Sequence, residues 1–335
     1  MKKTFLASLC LSLLAFGAAL YAPLRPSPSP PAEPDLPPPS AEKASLPDSD
    51  AAITVRALLE GETRELTMHD YLTGVLAAEM PASFETEALR AQAVAARTYT
   101  LYKMLVEPSA NHPQADVCDD ITCCKAFSSE EAQREKWGDE YEKYAAVMEN
   151  AVSSTDGICL LYDNEPALAV FHSSSAGMTE ASENVWGGSL PYLHSVESPE
   201  TEADVPDFAS SVTVSAAEFE DAVRSLHPEA DYTDRPPFED DAEYTEAGRL
   251  KSVTAGGVTL TGGEVRSLFS LRSSAVTLSA DGENVTLTVY GSGHGVGMSQ
   301  YGANVLAGRG YDYREILLHY YDGAALSSVG ELSPR

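Results

Sequence analysis

Cations are scarce in this chain. Its 335 residues hold 22 Lys+Arg against 51 Asp+Glu, a formal net charge of -29 at pH 7. A chain this negative repels phosphate backbones unless its few cations gather on one face. No Lys/Arg cluster is visible, so nucleic acid is excluded as a partner. Cysteine is scarce too, and five are too few for a disulfide-dense scaffold. No Lys-Ser/Thr follows the glycines of 291–297, which excludes a phosphate loop. No nucleophile-elbow pattern surrounds Ser173, which argues against a Ser/His hydrolase. No internal repeat is present. What remains is a 43% hydrophobic chain, able to bury the core of one large or two modest domains.

Residues 1–22 join Lys2 and Lys3 to an apolar run from Phe5 to Ala22, the pattern of a signal peptide or a single membrane anchor. Pro23 after Ala22 hinders processing there, so a retained anchor is preferred; in both cases the remainder is exported. The Pro-rich stretch within 23–50 reads as a stiff, extended spacer. The folded region is expected over 51–326. Apolar spacing predicts a hairpin about Gly61, a helix from Met68 stopped at Glu79 or Met80 by Pro81, and an Ala-rich buried helix from about Thr86 to Val106. A cysteine-bearing loop at 109–127 precedes a helix from about Trp137 to Ser153, then short strands at 158–162, 166–172 and 192–196. Residues 197–246 read as an acidic, solvated insertion with one amphipathic helix at 215–226. Strands at 250–260 and 275–290 lead into the glycine-rich turn, and a last helix spans 312–321. The irregular alternation predicts an α+β fold of mixed helices and short strands.

Four constellations could carry chemistry. Glu79 stands at the C-terminal end of an apolar helix, where the helix dipole and apolar surroundings disfavour the carboxylate, the setting a general acid needs at neutral pH; a surface Glu at a fraying end is the bland alternative. Gly291 to Gly297 surround His294 after a strand and clear side chains from a place where a ligand could approach. Ser299, Gln300 and Tyr301 follow with groups suited to sugars; a tight structural turn is the alternative. Ser173, in Phe171–Gly177, adds a small polar group at a strand end. His112, Cys118, Cys123 and Cys124 lie within thirteen residues, which suits tetrahedral zinc, although a disulfide competes in an oxidising exterior.

The block from Glu79-Met80-Pro81 through Ala91-Gln92-Ala93-Val94-Ala95-Ala96-Arg97-Thr98-Tyr99 resembles the stage II sporulation protein D family. Gly293 through Ala303 and the last helix ending in Tyr320-Tyr321 look like that family's C-terminal signature. Thr179, Val185-Trp186 and Arg266 stand in their expected neighbourhoods, and the likeness covers roughly 53–325. The resemblance implies a lytic transglycosylase with an elongated glycan-binding cleft, cutting peptidoglycan glycan strands, preferably denuded ones, during engulfment of the forespore. It further implies a single N-terminal anchor in the cell membrane, a catalytic domain in the septal space, and a sporulation amidase and a membrane protein of the engulfment machinery as partners. Glu79 matches the catalytic glutamate. His112, Cys118, Cys123 and Cys124 fall where clostridial members hold zinc, implying one structural zinc per chain. Arg97, Ser173, His294, Ser299, Gln300 and Tyr301 are the residues expected to bind substrate.

Overall fold

The structure, a computed structural model, describes residues 46–332. The expected anchor and nearly all of the Pro-rich spacer lie outside the described residues. None of the described helices is long and apolar enough to cross a membrane.

The chain starts with an antiparallel hairpin, β1 (Thr54–Leu59) and β2 (Glu62–Thr67), closed at Glu60-Gly61. Thr67 caps α1 (Met68–Glu79) by accepting the Asp70 N–H, and Pro81 ends it by holding Met80 extended. Next comes α2 (Thr86–Leu105), the axis of the molecule, on which α1 packs. Its small residues Ala88, Ala91, Ala93, Ala95 and Ala96 are all buried, so neighbouring backbones approach closely, as the sequence predicts. A two-residue strand, β3 (Val117–Cys118), pairs parallel with β1 and pins the cysteine loop to the hairpin. The helix expected from about Trp137 to Ser153 is α4 (Tyr141–Ser153), preceded by one the sequence reading did not foresee, α3 (Glu130–Trp137), with a break at Gly138, φ 52°, between them.

Beyond α4 run β4 (Ile158–Tyr162), β5 (Glu165–Pro166) and β6 (Phe171–His172). The strand expected over 166–172 survives only at its two ends, since tight turns at Ala169 and Val170 interrupt it. Residues 192–196 form no strand; their backbone is held by Thr179 and Ser182 instead of a ladder. A short helix, α5 (Ser182–Trp186), comes before them.

The expected solvated insertion is corrected most. It supplies β7 (Ala209–Ser215) and α6 (Ala216–Leu226), the latter burying Phe219 and Val223 completely. After an exposed edge strand, β8 (Glu243–Tyr244), these join β9 (Leu250–Ala255), β10 (Val258–Thr261), α7 (Gly262–Leu268), β11 (Val276–Ala280) and β12 (Asn284–Tyr290) in a second hydrophobic cluster. The amphipathic period of α6 was legible; that its apolar face meets a sheet of order β11-β12-β7 was not. Each such fully buried large apolar side chain contributes about 1.5–3 kcal/mol, which a solvated flank would forgo.

The chain closes with β13 (Met298–Ser299), α8 (Gln300–Gly308), α9 (Tyr313–Tyr320) and β14 (Ala325–Ser328). Parallel pairing of β13 with β6 brings residues 172 and 299 side by side. Helices α4, α8 and α9 and strand β4 all pack on α2. The folded body passes both expected ends: Asp50 and Leu332 are buried. Asp50 explains Arg97, which is corrected here from substrate ligand to core residue. Its guanidinium is fully buried, with Nη2 2.5 Å and Nε 2.8 Å from the Asp50 carboxylate and Nη1 3.0 Å from the Ile158 carbonyl. A charge so enclosed has no route to a ligand, and its partner is what makes its burial tolerable.

Candidate active site

Glu79 opens a cavity of about 520 Å³ whose walls include Lys125, Phe171, His172, Ser173, Arg266, His294 and Gln300. Three distant segments meet there: the end of α1, the cysteine loop, and the β6/β13 pair with its following helix. The half-buried Glu79 carboxylate accepts the Ala126 N–H at 3.1 Å. Beside it stands Lys125, a cation that no local pattern singles out. Its ammonium lies 3.8 Å from the Phe171 ring centroid and 4.6 Å from that of Tyr99, and burial pulls it down to about 8 against the opposing pull of Glu79. Glu79 thus has a backbone donor and a cation for neighbours, besides the helix end foreseen from sequence.

The structure distributes the other expected substrate residues unevenly. Ser173, His294 and Gln300 line the cavity. Gln300 is largely buried, and its Nε2 has no hydrogen-bond partner, leaving an amide donor for something in the cavity. Ser299 is corrected: it is fully buried, donates to Glu200 Oε1 at 2.5 Å and caps α8 by accepting the Gly302 N–H. Tyr301 is not among the cavity's lining residues. Its ring packs edge-on against Phe84 at 5.0 Å, while its N–H binds the Ser173 carbonyl.

Behind the wall lies a carboxylate that sequence reasoning consigned to the solvated insertion. Glu200 is 3% exposed and accepts from the Ser175 N–H at 2.6 Å, from Ser198 Oγ at 2.6 Å and from Ser299 Oγ. It ties together three segments far apart in sequence, and no local pattern announces it. His172 shares a hydrogen bond of 2.6 Å with Ser175 Oγ. This is not a hydrolase pair, because Ser175 is fully buried and the other ring nitrogen of His172 faces the Val296 carbonyl, not a carboxylate.

The glycines of 291–297 make room for protein, not ligand. Gly293 has φ 104°, and a Cβ there would stand 2.7 Å from His172 Cβ; at Gly295, φ 87°, it would strike the Arg249 guanidinium. The loop thereby holds His294 over the cavity, where burial and the cations Lys125, Arg249 and Arg266 push it down to about 3. An unfolded histidine protonates near pH 6.5, so between about 6.5 and 3 the unfolded chain binds more protons and stability falls as pH drops. Thermal melts at pH 7 and pH 4 should therefore show a smaller loss for His294→Gln than for the parent. Equal losses would remove His294 from the account.

The cysteine loop gathers a metal-competent cluster. His112 Nε2 and the sulfurs of Cys118, Cys123 and Cys124 all lie within 4.8 Å of one another. Cys124 Sγ is 3.4 Å from His112 Nε2 and 4.0 Å from Cys123 Sγ, edges of the size a tetrahedral site requires. His112 Nδ1 faces the Ala115 carbonyl at 3.0 Å, which turns Nε2 inward, and Asn111 and Ser109 approach Cys123 Sγ. None of the described cysteines is in a disulfide. The donor set fits a metal ion.

With this geometry in place, the likenesses to known proteins gain meaning. The family model described as SpoIID, stage II sporulation protein, matches residues 60–162, which hold Glu79 and all four members of the cluster. Stage II sporulation protein D of Bacillus subtilis (strain 168) is 33% identical over 292 residues, covering 87% of this chain and 83% of that protein. The chain belongs to the stage II sporulation protein D family. A second family member, from Bacillus amyloliquefaciens, is 33% identical over 286 residues, covering 85% of this chain and 81% of its own. The amidase enhancer of Bacillus subtilis is 27% identical over 309 residues, covering 77% of this chain and 40% of that longer protein. The family assignment makes this a sporulation protein.

Proposed function

We propose that this member of the family is a lytic transglycosylase that cleaves peptidoglycan glycan strands with Glu79 as its single acid and base. The observation that carries the reading is the Glu79 cavity, in which one carboxylate meets unspent donors on Gln300 and on cations but, among the described residues, no second acid. Hydrolytic glycosidases use two carboxyl groups, one for the leaving group and one for water or the sugar. A reaction with an internal nucleophile needs one.

The neutral Glu79 gives its proton to the glycosidic oxygen as the bond from C1 of the muramic acid breaks. The sugar's own C6 hydroxyl attacks C1, closing a 1,6-anhydro ring, and its proton passes to the Glu79 carboxylate. No water is consumed and the acid is restored. Because the nucleophile belongs to the substrate, proximity is already supplied. The Ala126 N–H fixes Glu79 Oε1, so that Oε2 is left for the glycosidic oxygen. His294, neutral at working pH, and the Gln300 amide serve as sugar donors or acceptors, and Ser173 adds a hydroxyl. Tyr301 acts indirectly, holding the Ser173 carbonyl through its backbone N–H.

We assign zinc to the His112, Cys118, Cys123 and Cys124 cluster. The ion would cross-link the loop and leave no open position for a reacting water, a structural role. The proposed setting is the space outside the cell membrane, with an amidase that strips stem peptides beforehand. The relative named amidase enhancer supports a second reading, a glycan binder without cleavage. Mass spectrometry of purified denuded strands incubated with the protein separates the two: anhydro ends are expected from the enzyme, and intact strands would sink it.

A further inference from the structure

A groove of about 630 Å³ lies among β2, α1, α4 and the start of α3, and shares no lining residue with the Glu79 cavity. Its floor is apolar. Leu59, Leu66 and Phe127 line it, the last two half-buried. Phe127 stacks on Tyr71 with ring centroids 6.0 Å apart, and it can lie against α1 because Gly74 has no side chain. A Cβ at Gly74 would stand 2.2 Å from the ring. From α4 come Tyr141 and, one turn further on, Ala145 and the exposed Ala146. Two helices thus present glycine and alanine to one groove, where the backbone of a third helix can approach closely. An amphipathic helix laid in an apolar groove is a recurring mode of recognition.

The rim of this groove is acidic. Asp70, Glu130, Glu142 and Glu149 line it, and all four are exposed. The nearby cations do not balance them. Arg64 stands 3.3 Å from Glu60 and 3.9 Å from Glu62, which are two further acids. Arg134 lies 2.8 Å from Glu130 and 3.5 Å from Glu142, with its guanidinium 3.9 Å from the Tyr141 ring centroid. His69 stands 2.8 Å from Glu149. The Asp70 carboxylate accepts from Thr67 Oγ1 and meets no cation among the described residues. Six carboxylates therefore face two guanidinium groups and one imidazole. Exposed pairs of this kind carry little energy singly, yet an excess of one sign around an apolar floor chooses between partners. Tyrosine and arginine at the edge are the residue types that anchor interfaces.

We propose that this groove docks a basic amphipathic helix of a partner protein, with its apolar side chains against Leu66 and Phe127 and its Lys or Arg residues against the rim of Asp70, Glu142 and Glu149. An acidic segment would be repelled there, and a neutral apolar one would leave the rim unanswered. Because the groove and the Glu79 cavity have no lining residue in common, the helix leaves that cavity open.

The probe is a labelled Leu/Lys peptide of about fourteen residues, patterned as an amphipathic helix of about four turns. One control carries Glu in place of every Lys, and another carries Ser in place of every Leu. Fluorescence anisotropy with the full-length protein is expected to show the Leu/Lys peptide binding about tenfold or more tightly than either control. Ala146→Trp fills the groove from an exposed position and should weaken that binding about tenfold or more, with an unchanged melting temperature. Ala217→Trp, at an exposed position on α6, should leave it unaltered. Joint replacement Glu142→Lys and Glu149→Lys should weaken the Leu/Lys peptide and strengthen the Leu/Glu one, a reversal that diffuse attraction to a chain of net charge -29 does not produce. The proposal is overturned if the Leu/Lys peptide does not bind, if the Ser control binds as well, or if binding survives Ala146→Trp. Equal losses in the two tryptophan variants, or no reversal on joint replacement, would also overturn it. Displacement of the peptide by denuded glycan would give the groove to sugar instead.

Discussion

Glu79→Gln is expected to slow release of anhydro ends from denuded glycan by about a hundred- to ten-thousandfold, the range a positioned general acid supplies. The substitution is nearly isosteric, and a glutamine Oε1 can still accept the Ala126 N–H, so the end of α1 and the cysteine loop stay in place. What is lost is the proton for the leaving oxygen and the base that recovers one from C6. Melting temperature and metal content should therefore match the parent, which separates a chemical loss from an unfolding one. Cleavage at the parent rate would show that another group provides the acid. Among the described residues lining the cavity Glu79 is the one carboxylic acid, so the mechanism would then have to be abandoned.

Removing the metal is the second large effect. Stripping the protein with a chelator, or replacing Cys124 by serine, should release about one zinc per chain and lower the melting temperature. Even ~3 kcal/mol of coupled binding energy corresponds to about 5–10 °C in a domain of this size. Activity should fall as well, although no ligand touches substrate. The loop from His112 to Cys124 runs directly into Lys125 and Ala126, the two residues that flank the Glu79 carboxylate. Burial pushes the metal-free Cys118 thiol up to about 12, so a metal must displace protons to bind, and its affinity should decline as pH falls. Protein purified without chelator that holds no zinc and carries Cys118 in a disulfide would refute the assignment.

Charge is the property on which sequence and structure part most sharply. Counting residues describes the surface: an acidic exterior that repels nucleic acid. It does not describe the cavities, where Glu79, Glu180 and Glu183 are matched in number by Lys125, Arg249 and Arg266. These three cations are scattered singly through the chain, and what surrounds each of them is something no local pattern encodes. Arg97 shows the converse. Its place in a family motif suggests a ligand contact, yet its charge serves Asp50, 47 residues earlier.

The sequence by itself determined the family, the helices with a clear apolar period and firm stop signals, the acid at the end of α1, and the four metal-competent side chains. Each is encoded locally, by spacing, a proline or donor atoms within a short loop. Only the tertiary structure decided that residues 197–246 carry core, that Ser299 and Arg97 are enclosed, that the 291–297 glycines make way for His172 and Arg249, and that Arg266 lines the Glu79 cavity. These outcomes depend on which surfaces meet across hundreds of residues, where burial decides whether a polar group is a strut or a ligand.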